Sequence, residues 1–127
     1  MKEIKTYIIE KLKVGVSNTT KSVLIPRTTE ELRKMIKDEI SKNGLDCSLN
    51  HINVSKITDM TGLFSKSKFN GDISNWDVSN VTDMSRMFAL SKFDGDISNW
   101  DVSKVKDMDE MFYGSPLEKN LPYWYYK

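Results

Sequence analysis

Cysteine is almost missing from this 127-residue chain, and the single Cys47 excludes an internal disulfide framework and a thiolate metal cluster. Histidine also occurs once, at His51, with no Ser or Cys partner placed by any motif, so catalysis by a base and its orienter has no basis in the sequence. Charge of one sign does not accumulate. Nineteen basic and 18 acidic side chains leave a formal net charge of +1, which gives no pull toward nucleic acid, an anionic membrane or an acidic substrate. No apolar run approaches the ~20 residues of a membrane span. The opening Met1–Lys13 breaks its apolar residues with charge, where an export signal needs an unbroken apolar stretch. These absences predict a cytoplasmic protein if the chain is complete. The glycine and histidine signatures of nucleotide-binding, metalloprotease and hydrolase sites are absent as well. The expectation is therefore no enzyme, no cofactor and no metal.

What is present is a repeat. The run F-N-G-D-I-S-N-W-D-V-S-N-V-T-D-M-S-R-M-F from Phe69 to Phe88 returns as F-D-G-D-I-S-N-W-D-V-S-K-V-K-D-M-D-E-M-F from Phe93 to Phe112, an offset of 24 residues. Stepping back by the same offset from Trp76, Val78, Val81, Asp83, Met84 and Phe88 reaches Ile52, Val54, Ile57, Asp59, Met60 and Phe64. Stepping forward from Phe93, Ile97 and Trp100 reaches Leu117, Leu121 and Trp124. The units are thus 45–68, 69–92 and 93–116, with a truncated copy at 117–127. A fixed period in this range marks a stacked array whose units share one core.

Spacing within the unit sets the expected secondary structure. Ile73-x-x-Trp76-x-Val78-x-x-Val81 matches the apolar skeleton of a leucine-rich repeat. Trp76-x-Val78 has the period of a short strand, and Val81, Met84, Met87 and Phe88 then follow a helical stripe. Gly71 and Gly95 read as turns that re-enter the next strand. The fold class predicted is α/β, a short right-handed leucine-rich-repeat-like solenoid behind an N-terminal helical cap.

The repeat resembles that of BspA-like leucine-rich-repeat surface proteins, found also in bacterial lipoproteins and some phage-encoded proteins. The likeness covers Leu45 to the C-terminus, and the ending from Pro116 to Trp124 resembles the family's closing half-repeat. It implies adhesion or protein–protein binding, without catalytic residues. It also implies a cell-surface setting if the chain is a fragment of a longer family member.

Residues 1–44 lie outside the repeat and read as a helical cap. Ile4, Ile8, Ile9 and Leu12 form an apolar stripe over Lys2–Lys13. Ser22–Pro26 is a short apolar run that Pro26 confines to an edge. Thr28-Thr-Glu-Glu31 is a capping box opening a second helix with Leu32, Met35, Ile36 and Ile40 on one face, and Asn43-Gly44 stops it. That helix is expected to cover the first repeat. The column Asp59, Asp83 and Asp107 is expected to cap the short helix of each unit. The Asn70-Gly-Asp72 and Asp94-Gly-Asp96 segments lack the spacing of a calcium loop and read as turns.

Candidate binding residues are the exposed strand positions, aligned from unit to unit. They include His51, Asn53 and Ser55, and as the preferred set Asn75, Asp77, Ser79, Asn99, Asp101 and Ser103, extended by Tyr123 and Tyr125. The expected function is a non-catalytic protein-interaction module that presents this polar and aromatic face to a protein partner. The alternatives are a structural subunit assembling end to end, such as a phage particle component, and a small intracellular inhibitor of a host protein.

Overall fold

The computed structural model describes residues 24–125. The expected helix over Lys2–Lys13 lies outside them, as do Ser22 and Val23. Of the Ser22–Pro26 run, Leu24 forms a parallel bridge with Ile52, and its carbonyl accepts the Asn53 N–H at 2.7 Å.

Helix α1 spans Thr29–Asn43 and is built by its ends as the sequence predicts. Thr28 is the N-cap, its hydroxyl accepting the Glu31 N–H at 3.1 Å. The Glu31 carboxylate takes the Arg27 N–H at 2.7 Å, one residue outside the cap. Gly44, at φ 95°, ends the helix and donates to the Ile40 carbonyl. Leu32, Met35 and Ile36 are buried. The exposed flank reaches the first coil through two side-chain donors: Thr29 Oγ1 to the Asp59 carbonyl and Arg33 Nη2 to the Thr61 carbonyl, both 2.8 Å.

From residue 45 onward the chain winds in coils that stack in register. Thr82 N–H donates to the Thr58 carbonyl and Lys106 N–H to the Thr82 carbonyl, both 2.8 Å and both one repeat apart. In the opposite sense Met60, Gly62, Phe64 and Lys66 donate to the carbonyls of Asp83, Ser85, Met87 and Ala89. Met84, Arg86, Phe88 and Leu90 donate in turn to Asp107, Asp109, Met111 and Tyr113. Alternate N–H groups thus run along the stack. Those between them close local turns, as in Leu63 to Met60 and Ser65 to Gly62.

This architecture corrects the expected fold class. An α/β leucine-rich-repeat solenoid needs a strand and a helix in every unit. Among the described residues the pairing is limited to isolated parallel bridges, Ser48↔Asp72, Asp59↔Asp83 and Asp83↔Asp107 besides that of Leu24, with no sheet. The α-helix α1 stands outside the repeats, and the other helical element among the described residues is a 3₁₀ turn at Pro116–Lys119.

Turn chemistry explains the difference. Asp72, Asp77 and Asp83 each accept the N–H and the hydroxyl of the serine two residues on. These Asx-type corners fold the backbone on either side of Trp76-x-Val78, leaving no length for a strand. The expected helical stretch fails for a second reason. Gly62, Arg86 and Glu110 share one repeat position with φ between 55° and 61°, and Lys66, Leu90 and Gly114 share another with φ between 58° and 70°. A left-handed residue every fourth position ends any right-handed helix. It also turns the N–H outward, to the next coil.

The apolar spacing nevertheless finds the core. Phe64, Phe88 and Phe112 stack at 5.6 and 5.7 Å with rings 2° from parallel, and Phe69 and Phe93 form a neighbouring column at 6.2 Å. Such pairs add roughly 0.5–1.5 kcal/mol each beyond the area they bury. Trp76, Trp100 and Trp124 are buried, each indole N–H donating to a carbonyl 27 residues back: Leu49, Ile73 and Ile97.

Gly71 and Gly95 serve close approach. A Cβ on Gly71 would lie 1.8 Å from the Cys47 carbonyl oxygen, and one on Gly95 2.6 Å from the Phe93 ring. Cys47 occupies the same repeat position one coil earlier and carries a side chain there, half-buried. Burial and the nearby Glu39 carboxylate push its thiol pKa up, the opposite of an activated nucleophile.

Candidate functional site

The expected exposed positions lie on the coil corners. Asn75, Asp77, Asn99, Asp101 and Ser103 are exposed and Ser79 is half-buried. They are not the free edge of strands. Asp77 Oδ1 accepts the Ser79 N–H at 3.0 Å and its hydroxyl at 2.6 Å, and Asp101 Oδ1 does the same with Ser103 at 3.0 and 2.7 Å. The serine hydroxyl, then the serine N–H, holds each carboxyl below the ordinary carboxylate range. The corner row is therefore anionic at neutral pH, with one carboxylate oxygen of each residue committed to its own turn.

The first coil departs from the expected row. His51 was expected isolated and exposed, yet it is half-buried with Nε2 3.1 Å from Glu39 Oε1 on α1. It ties the helix to the stack. Asn53 is exposed but spends its Oδ1 on the Ser55 N–H. The Asp59, Asp83 and Asp107 column does accept backbone N–H groups, from Thr61, Ser85 and Asp109. It caps turns, since no helices follow.

The C-terminal aromatics divide. Tyr123 is 80% exposed, while Tyr125 packs edge-on against Phe112 at 5.1 Å and is half-buried. Tyr125 is a lid on the core, unlike the exposed contact residue expected. Leu121 stays 46% exposed, whereas Leu117 and Trp124 close the core beneath it.

Four of the candidate residues meet at this end. Asn99, Asp101, Ser103 and Tyr123 line a cleft of about 760 Å³ whose floor is Val102, Val105 and Met108. The floor residues escape a sequence reading. One coil earlier, Val78, Val81 and Met84 are at most 1% exposed, whereas Val102, Val105 and Met108 are only partly buried. The residue types are the same, so only the absence of a covering coil separates them. Asn75, Asp77 and Ser79 lie one coil away on the same columns and outside the cleft.

Two further clefts lie elsewhere on the described residues. One, of about 390 Å³, gathers Arg27, Arg33 and Lys56 with Thr28 and Thr29 at the start of α1. The Arg33 guanidinium and both threonine hydroxyls there already bond within the fold. The other, of about 400 Å³, lies between Asp94–Ser98 and Leu117–Tyr123. Among the described residues no group of three or more His, Cys, Asp or Glu side chains converges as a metal site would require. No helix among them is long and apolar enough to cross a membrane.

A family model described as "Mycoplasma protein of unknown function, DUF285" matches residues 30–127, which takes in α1 and every coil. No curated protein and no solved structure matches the chain.

Proposed function

The chain belongs to the DUF285 family, and we propose that it is a non-catalytic protein-interaction module that binds its partner at the cleft after the last full coil. One observation carries this reading: polar corner residues and an exposed tyrosine surround an apolar floor that no described segment covers. A mixed patch of this kind, with an aromatic anchor at its rim, suits protein binding. Carboxylates at Asp101 and Asp109 with Lys106 nearby would set orientation, while Val102, Val105 and Met108 would supply buried area. The resemblance of the repeat to BspA-like surface repeats supports the same reading.

The test is comparative affinity capture. The intact chain and the double variant Asp101→Ala/Tyr123→Ala, verified as equally folded by circular dichroism and thermal melting, are used as bait side by side. A protein retained by the first and lost by the second is the expected result. Indistinguishable captured sets would overturn the proposal.

A further inference from the structure

We infer that the cleft takes a peptide segment of a partner protein that follows residues 102–110 along the same turned path as the coils, one more layer of the stack, with aliphatic side chains at every third residue and basic residues between them. The inference deepens the protein-binding reading above and rests on it.

The backbone specifies the occupant. In each covered layer alternate N–H groups donate to carbonyls of the next coil: Met60 and Gly62 to Asp83 and Ser85, then Met84 and Arg86 to Asp107 and Asp109, at 2.9–3.0 Å. The corresponding N–H groups of Met108 and Glu110 have no acceptor among the described residues. The Lys106 carbonyl likewise has no donor, although its counterparts Thr58 and Thr82 each accept one at 2.8 Å. The cleft end therefore offers two N–H donors two residues apart and one carbonyl, at the repeat positions that bond the next coil elsewhere. The Phe112 N–H, next in the series, also has no acceptor among the described residues but lies outside the cleft. A partner segment that follows the coil path satisfies them with the carbonyls of alternate residues, as Asp83 and Ser85 do one layer earlier.

Side chains define the rest. In the 24-residue register the residues one coil beyond Val78, Val81 and Met84 are Val102, Val105 and Met108, an aliphatic at every third residue, and all six belong to or pack against one core cluster. The latter three face the cleft, so the matching pattern completes the same interface. Charge narrows it further. Asp101, Asp107 and Asp109 stand at this end against Lys104 and Lys106, Glu110 being already paired with Arg86 of the coil before. Across the preceding interface Arg86 Nε meets Glu110 Oε1 at 2.9 Å, showing that a cation fits opposite this row. The helix-covered end cannot accept such a layer, because Thr29 and Arg33 already occupy the Asp59 and Thr61 carbonyls.

The probe is a fluorescent peptide with the sequence of residues 78–88 carrying Asp83→Lys, titrated with the 127-residue chain and followed by anisotropy. Saturable binding is expected. It should be at least tenfold weaker for a peptide with serine at the positions of Val78, Val81 and Met84, and several-fold weaker with aspartate restored. On the protein, Val105→Arg should weaken binding at least tenfold with the melting temperature unchanged, and Met108→Lys provides the same test should Val105→Arg unfold. No binding, or binding indifferent to both protein variants, would overturn the inference. So would concentration-dependent dimerisation in sedimentation that Val105→Arg abolishes, because the occupant would then be a second copy. A captured partner lost by Asp101→Ala/Tyr123→Ala but retained by Val105→Arg would leave the binding module standing and remove the added layer.

Discussion

The two ends of the stack are made from the same repeat and treated oppositely. At the front, α1 lays Leu32, Met35 and Ile36 onto the core and supplies Thr29 and Arg33 to carbonyls that would otherwise face solvent. At the back, the segment after Pro116 covers the Trp100 and Phe112 half with Trp124 and Tyr125, while the Val102, Val105 and Met108 half stays open. The Gly114 N–H at the back finds the Glu118 carboxylate at 2.9 Å, but those of Met108 and Glu110 find nothing comparable among the described residues. The difference teaches that the same repeat closes its core where a layer covers it and leaves apolar side chains and backbone N–H groups open where none does.

The comparison breaks first on paired core truncations. Met84→Ala should cost about 2–5 kcal/mol, because Met84 is 0% exposed. Met108→Ala, the same repeat position at the open end, should cost about 1 kcal/mol or less. Urea denaturation measures both, and equal costs would show that the back is closed after all. Next is Gly71→Ala, where the new Cβ would strike the Cys47 carbonyl. It should cost about 1–3 kcal/mol or more, whereas Gly62→Ala, where the Cβ would meet only the Ser65 Cβ at 3.9 Å but φ is 61°, should cost about 1 kcal/mol. Similar melting temperatures for the two variants would refute close approach as the reason for Gly71.

At the front, Thr28→Ala removes the α1 cap and should lose about 1 kcal/mol in thermal melts. It should leave peptide binding at the back unaltered, and coupled effects would mean that the ends communicate. The smallest effects lie on the corner carboxylates. Asp72, Asp77, Asp83, Asp96 and Asp101 are all held below their ordinary range, chiefly by the serine two residues on. A depressed carboxyl contributes stability that is complete above the unfolded value and is lost as pH falls through the folded one. Stability should therefore hold at neutral pH and decline below about pH 4. Ser103→Ala should raise the Asp101 midpoint in an NMR titration with little change in melting temperature at pH 7. No movement of that midpoint would remove the hydroxyl as the cause.

Much of the core was legible in the residues. The 24-residue offset placed Phe64, Phe88 and Phe112 in one column and the three tryptophans in another, because a repeated apolar position has one place to go in a stacked chain. The limits of α1 were legible through Thr28 and Gly44, whose chemistry acts within a few residues. The strand and the repeat helix were misread for the same reason that the columns were not. Apolar spacing reports which side chains point inward and says little about the backbone path between them. The Asp–Ser pairs that break a strand are visible as residues, but a single pair is compatible with a strand end. Only their recurrence three times in one unit leaves no room for a strand. The left-handed residues Arg86, Leu90 and Glu110 carried no signal, since nothing in their type requires positive φ. Of the binding candidates, Asn99, Asp101, Ser103 and Tyr123 gather at one cleft, and Tyr125 turns inward.

The order of residues alone determined the period, the inward set and the helix that opens the stack, because each depends on spacing or on contacts a few residues long. Tertiary structure alone decided that alternate N–H groups leave their own turns for the neighbouring coil. It alone also decided that Val102, Val105 and Met108 meet no layer while Val78, Val81 and Met84 do. Identical side chains differ there only in what lies above them, and that is a property of the stack.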